Sequence, residues 1–270
     1  MPDRSEPTDQ SALVRGLPVS TTQIAVLLLS LMSLVTTAIG VAVALWIREN
    51  ARTIAAGIGF STGIMLLIST LELVPEASAS IGLGATLLST AAGAGLVWAA
   101  NLIVPHTHLI EEPSGMIDPT ATRSAYLVVF GLILHDVPEG FAMATAYLEY
   151  PDLGVLVAVA IALHNLPEEF AMSVPAVAAR SKRFLFGAAA LSALAEPVGA
   201  VLGLVAVGFA PGINTSLVAF AAGAMIFVSI HELIPMAGRY RHPGFFITGV
   251  GVSVLVYGLL TGVAFAQTAG

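Results

Sequence analysis

Two ten-residue stretches, HDVPEGFAMA at 135–144 and HNLPEEFAMS at 164–173, decide how this chain is read. Each sets His, an Asp or Asn, Pro and Glu in one register, and each lies inside a long apolar run. The chain around them has 270 residues, 57% hydrophobic and only 10% charged, with a mean hydropathy of +0.91. An ordinary soluble domain carries about 25% charged residues, so this chain could not cover a water-facing surface. A water-soluble globular enzyme, a disordered chain, collagen and a coiled coil are set aside on that ground. The absence of cysteine removes disulfides, thiolate metal sites and Cys nucleophiles. A net charge of −7 excludes a strongly basic nucleic-acid binder. The composition is that of an all-α integral membrane protein.

A bilayer core about 30 Å thick is crossed by about 20 apolar residues of helix. Eight stretches meet or approach that length: 22–47, 54–75, 83–104, 124–147, 153–178, 184–209, 214–236 and 245–267. Residues 1–20 are polar, contain Pro2, Pro7 and Pro18, and are expected to form a disordered extracytoplasmic tail; they lack the order of a signal peptide. Residues 21–270 form the transmembrane domain. Of the ten basic residues, Arg48, Arg52, Arg123, Arg180, Lys182, Arg183, Arg239 and Arg241 all fall in loops after spans 1, 3, 5 and 7. The positive-inside rule makes that side cytoplasmic, so both termini are expected outside the cytoplasmic membrane.

Residues 60–75 and 220–235 align without a gap, with Phe60/Phe220, Gly63/Gly223, Met65/Met225, Ser69/Ser229, Glu72/Glu232, Leu73/Leu233 and Pro75/Pro235 matching. The first pair joins spans 2 and 7, and the two opening stretches join spans 4 and 5. Partners an odd number of spans apart cross the membrane in opposite directions. The expectation is therefore eight helices in a 3+2+3 inverted-repeat arrangement, a recurring build for secondary transporters.

A charged side chain at the centre of a spanning helix costs roughly 2.5–3.5 kcal/mol on insertion scales. Span 4 holds His135, Asp136 and Glu139, span 5 holds His164, Asn165, Glu168 and Glu169, and span 6 holds Glu196. Imidazole and carboxylates without thiolates suit a divalent first-row metal such as zinc, iron(II) or manganese. On a helix, i and i+4 share a face, so His135 stacks with Glu139 and His164 with Glu168. Asp136 with Glu139, and Asn165 with Glu168, are i, i+3 neighbours. Two such helices packed antiparallel would offer two adjacent metal positions bridged by Glu139 and Glu168. Pro138 and Pro167 are expected to free the carbonyls of Leu134 and Leu163 and to bend their helices. Glu169 points about 100° away from Glu168 and is expected to pair structurally or to line the pathway.

These residues resemble the ZIP (Zrt/Irt-like) family of divalent metal transporters, particularly its prokaryotic members. HDVPEG at 135–140 and HNLPEE at 164–169 look like the paired HNxPEG-type motifs of that family's fourth and fifth spans. AEPVGA at 195–200 looks like its sixth-span motif, and LELVPEA at 71–77 and HELIPMA at 231–237 resemble its second and seventh. The resemblance implies an eight-span fold, commonly a homodimer, with a binuclear metal site and uptake of zinc, or of Cd2+, Fe2+ or Mn2+, into the cytosol. It places His135, Glu139, His164 and Glu168 at one metal position, and Asp136, Glu139, Asn165, Glu168 and Glu196 at the other. Met65 would correspond to a pore-lining Met of the second span, although core packing is the stronger expectation for Met65 and Met225. Two departures stand out: Asp136 where Asn is more usual, and Glu169 in place of the Gly of PEG.

His231 and Glu232 are candidate exit ligands, and His106 and His108 lie in the 3–4 loop, where a solvated loop is the stronger expectation. HELIP begins like HExxH, but Pro235 stands where a second zinc ligand should be, against a metalloprotease. The competing function is a membrane-embedded binuclear metalloenzyme. Such bundle sites use Glu-x-x-His pairs, whereas the order here is His-x-x-x-Glu with Pro inserted, which favours transport of a divalent metal ion.

Overall fold

The computed structural model describes residues 19–46, 50–103, 136–178 and 182–268, and every regular element among them is helical. In chain order, α1 comprises Val19–Ser30 and Met32–Trp46, joined through Leu31. α2 runs as Ala51–Ile68, a π turn over Ser69–Leu73, and Val74–Ile81. α3 is Leu83–Ile103, α4 spans 136–149, α5 is Pro151–Ala178 and α6 is Lys182–Phe209. α7 opens with a 3-10 turn over Pro211–Ile213 and continues as Asn214–Val228, a π turn over Ser229–Leu233, and Ile234–Arg239. α8 is Pro243–Thr268.

Among the described residues, 7 helices are long and apolar enough to cross a membrane. They correspond to every expected span except the fourth. Part of that span lies outside the described residues, and its described part is the helix 136–149. The expected tail at 1–18 and the 3–4 loop with His106 and His108 also lie outside the described residues. α1 already begins at Val19, just inside the stretch expected to be disordered.

One boundary is corrected. The sequence suggested that the second span ends at Pro75, yet α2 continues through it to Ile81 and turns only at Gly82, whose φ of 78° suits a residue without a Cβ. Proline lacks an N–H and crowds the carbonyl four residues back. The π turn before it absorbs this: the Val74 N–H reaches the Ser69 carbonyl, five residues back. The same device sits before Pro235, where the Ile234 N–H reaches the Ser229 carbonyl and the helix extends to Arg239. The two π turns therefore occupy matching places in the two copies of the repeat.

Of the seven spans, α2, α5 and α7 are the most buried and α3 and α8 the least, and the described part of α4 is mostly buried as well. α8 packs along α2, α3 along α7, and α1 along α5, with α2 and α5 also in contact. Small residues permit these approaches: a Cβ on Gly63 would collide with Ser253 of α8, and one on Gly223 with the Thr90 backbone of α3. The interior is apolar, with Ile54, Ile58, Ile64, Ile68 and Leu73 buried beside Val218, Val228 and Leu233. Outward positions carry large exposed hydrophobics such as Leu28, Leu88, Leu102, Leu255 and Leu259. Continuous apolar exteriors of this extent belong against lipid rather than water.

Candidate metal centre

α4 and α5 bring three ligating side chains together at depth. Glu139 of α4 and His164 and Glu168 of α5 each offer one ligand atom, and those atoms lie within 4.8 Å of one another. His164 and Glu168 share a face because they are one turn apart. Glu139 and His164 are both 0% exposed, so water cannot screen the cluster.

The imidazole is oriented from behind. His164 Nδ1 lies 3.0 Å from the Ala160 carbonyl oxygen. A carbonyl only accepts, so Nδ1 carries the hydrogen, and the lone pair of the neutral ring is on Nε2. That nitrogen lies 3.1 Å from Glu139 Oε1, so something positive must stand between a lone pair and a carboxylate: a proton, or a metal ion. A His whose second nitrogen is fixed by a backbone carbonyl is the usual way to aim a metal ligand. The His164 backbone is itself held, because Ser61 Oγ of α2 donates to its carbonyl at 2.9 Å. The helix continues through Pro167.

The electrostatics agree with this chemistry. Two carboxylate charges no more than 4.8 Å apart repel by at least about 3.5 kcal/mol at an effective dielectric of about 20. Glu139 Oε2 is buried without a hydrogen-bond partner, a costly state for an acceptor unless a cation meets it. A divalent ion would answer both problems at once.

The other expected ligands are distributed differently. Asn165 Nδ2 donates to Glu196 Oε1 at 2.7 Å, joining α5 to α6 beside the cluster. α4 also approaches the Glu196 backbone closely: a Cβ on Gly140 of α4 would collide with the Glu196 carbonyl of α6. Asp136, expected beside Glu139, is not one of the three clustered ligands; its Oδ2 accepts from Ser192 Oγ of α6 at 2.6 Å. Glu169 is likewise outside the three clustered ligands; its Oε1 accepts from Thr37 Oγ1 of α1 at 3.2 Å and also contacts Ser192 Oγ, whose single hydrogen serves either Glu169 or Asp136. His135 lies outside the described residues.

With this geometry in hand, comparison with known proteins decides the family. Residues 108–266, more than half of the chain, match the family model described as ZIP Zinc transporter. The chain belongs to the ZIP family. It is 36% identical over 259 residues to the zinc transporter ZupT of Chlorobium luteolum, covering 87% of this chain and 97% of that protein. It is 37% identical over 256 residues to the zinc transporter ZupT of Corynebacterium aurimucosum, covering 87% and 92%. For the zinc transporter ZupT of Escherichia coli O7:K1 the identity is 35% over 234 residues, covering 83% and 89%. This ZIP-family chain is thus a multi-pass inner-membrane protein with a His/Glu cluster in its interior.

The weaker candidates fall elsewhere. Met65 and Met225 are each 1% exposed within the hydrophobic core. His231 is exposed and stacks on Phe227, ring centroids 4.8 Å apart. Glu232, its neighbour in the π turn, is buried and accepts from Asn101 Nδ2 of α3 at 3.0 Å. The structure therefore turns His231 and Glu232 to different surroundings. Ser192, Thr37, Ser61 and Asn101 were not anticipated as partners of the acidic groups and of the His164 backbone. Ser192 had one available signal: it lies four residues before Glu196, on the same face of α6.

Proposed function

We propose that this chain imports zinc, or a divalent metal of like chemistry (Cd2+, Fe2+, Mn2+), across the cytoplasmic membrane, with both termini outside and eight helices in a 3+2+3 inverted repeat. The ion is held during passage by Glu139, His164 and Glu168, with His135, the residue before Asp136 in the sequence, completing the set. A second position beside it draws on Asp136, Asn165 and Glu196 and shares Glu139 and Glu168. The observation that carries the reading is the buried Glu139–His164–Glu168 set, in a ZIP-family chain whose relatives named above are zinc transporters. Its imidazole Nε2 and carboxylate oxygens match the nitrogen and oxygen donors that zinc takes.

A metal needs deprotonated ligands, so binding releases protons, and a proton on His164 opposes binding. Release to the cytosol then requires only a change that separates α4 from α5, because the three ligands come from those two helices. The test is uptake of zinc into proteoliposomes by the purified protein. Saturable uptake is expected, with loss in both Glu139→Ala and Glu168→Ala. Uptake that persists in both variants, or zinc that binds and never crosses, overturns the proposal.

A further inference from the structure

We infer that Glu149 is the latch of the outer gate: its bonds to Asn214 and Thr215 tie the end of α4 to the start of α7, and they break before an ion from the extracytoplasmic side can reach Glu139 and His164. The inference rests on the transport and orientation readings above and adds where the closed path opens.

The unbroken helix from Glu139 to Glu149 rises about 15 Å, about half the thickness of the bilayer core. Glu149 therefore stands at the outer mouth. The stretch between is closed. Ala142, Met143 and Ala146 are at most 2% exposed, and Met65 of α2 and Val218 of α7 belong to the same buried core. A close-packed core passes no hydrated ion, so one of the seams around α4 has to part.

The seams differ in kind. Toward α5 and α6, α4 packs against backbone through glycine. A Cβ on Gly140 would collide with the Glu196 carbonyl, one on Gly199 with the Val137 carbonyl, and one on Gly154 with the Tyr147 backbone. Among the described residues, no glycine makes such an approach between α4 and α7. Those two helices meet through side chains. The Phe141 and Phe220 rings pack edge to face, centroids 6.1 Å apart. At the mouth, Glu149 accepts from Asn214 Nδ2 at 2.5 Å and from Thr215 Oγ1 at 2.6 Å. The Asn214 amide has two hydrogens, and it also donates to the Thr145 carbonyl at 3.2 Å.

Such a tie is suited to opening. Glu149 closes its own helix, where the dipole disfavours an acid, and is favoured instead by the N-terminal end of α7, which carries Asn214 and Thr215. It is only partly buried, so water can take over its oxygens when the bonds break. Asn214 Oδ1, by contrast, is buried without a hydrogen-bond partner while the tie is made, a cost that opening relieves. Tyr150, the next residue, adds a hydrogen bond from the same turn to Glu76 of α2.

The chain has no cysteine, so one introduced thiol reports access without background. Val218 is 0% exposed and lies one turn inward from Asn214 on the same face of α7. In right-side-out vesicles, Val218→Cys should react slowly with a membrane-impermeant methanethiosulfonate. Adding Glu149→Ala or Thr215→Val should speed the reaction about tenfold, the effect on a two-state equilibrium of losing one hydrogen bond to a charged group. Thr215→Ser should keep the slow rate, and so should Asn101→Leu, which removes a comparable bond at the other end of α7. Equal rates for Thr215→Ser and Thr215→Val, or an equal rise in Asn101→Leu, overturn the inference. Reaction from the cytoplasmic face alone overturns it together with the orientation. A second measurement needs no thiol at position 218. Glu149→Cys with Thr215→Cys, joined by a reducible bifunctional thiol reagent, should still bind zinc but lose zinc uptake until reduced; uptake that survives the joining overturns the gate. If the unjoined protein moves no zinc, the transport reading fails while labelling at position 218 still decides the latch.

Discussion

Glu139→Gln isolates the charge at the metal cluster with almost no change of volume. The carboxylate is 0% exposed, its Oε1 stands 3.1 Å from His164 Nε2, and its Oε2 has no hydrogen-bond partner. An ion that binds only the folded protein stabilises it by about 2.7 kcal/mol at a free concentration one hundred times Kd. Mutating a residue that merely orients a ligand costs roughly 10–100-fold in affinity, so losing a direct ligand should reach at least about 100-fold. At the same zinc concentration the variant then sits at its own Kd, and the stabilisation falls to about 0.4 kcal/mol. The expected difference is about 2.3 kcal/mol. In the absence of metal the variant should lose little, because removing one charge also relieves the repulsion of at least about 3.5 kcal/mol between Glu139 and Glu168. The assay is unfolding in detergent with zinc buffered at a series of concentrations. Glu232→Gln serves as control, since that buried carboxylate is bonded to Asn101 and stands outside the cluster. A Glu139→Gln protein that zinc stabilises as much as wild type would refute the assignment.

Gly140→Ala should be costly although it adds a single methyl, because that methyl meets the Glu196 backbone carbonyl. Overpacking of this kind costs about 1–3 kcal/mol; loss of stability in detergent together with reduced zinc uptake is expected, and a wild-type profile in both would show that α4 and α6 are less tightly joined. Tyr257→Phe and Asn101→Leu each remove the donor to a π-turn carboxylate, Glu72 and Glu232 respectively. A bond to a charged group is worth about 1.5–3 kcal/mol when buried, and about 1 kcal/mol is expected at these partly exposed pairs. Equilibrium unfolding checks it, and an unchanged midpoint in both variants counts against a holding role.

Much of the fold was legible because membrane-crossing helices announce themselves by length and apolarity. The direction of Glu169 was legible too, since one residue along a helix is a fixed rotation, and its carboxylate indeed faces α1 and α6. Proline misled at Pro75. A rule about N–H loss and carbonyl crowding predicts a helix end, while the remedy, one bond spanning five residues instead of four, leaves no mark in composition. The surroundings of Asp136 were hidden for a different reason. Its spacing to Glu139 was read correctly, but the partner that captures it, Ser192, comes from another helix, and a lone serine in an apolar run looks like packing. Asn101 carried no readable chemistry for the same reason: its importance lies in facing Glu232 across 131 residues of sequence.

The two π turns give the similarity of residues 60–75 and 220–235 a physical meaning that string matching lacks. Apolar segments resemble one another by composition, and such resemblance would not place a rare backbone defect at the same register twice. Here Ser69–Leu73 and Ser229–Leu233 both widen immediately before the segment that carries Pro75 or Pro235, and both enclose a glutamate. Each glutamate is met by a neutral donor from the peripheral helix packed against it: Tyr257 of α8 for Glu72 at 2.6 Å, Asn101 of α3 for Glu232 at 3.0 Å. A neutral donor keeps the carboxylate satisfied without the desolvation cost of bringing a Lys or Arg to the same depth. The same proline that would have broken each helix thus accounts for the widened turn, and the widened turn accounts for where its acid stands.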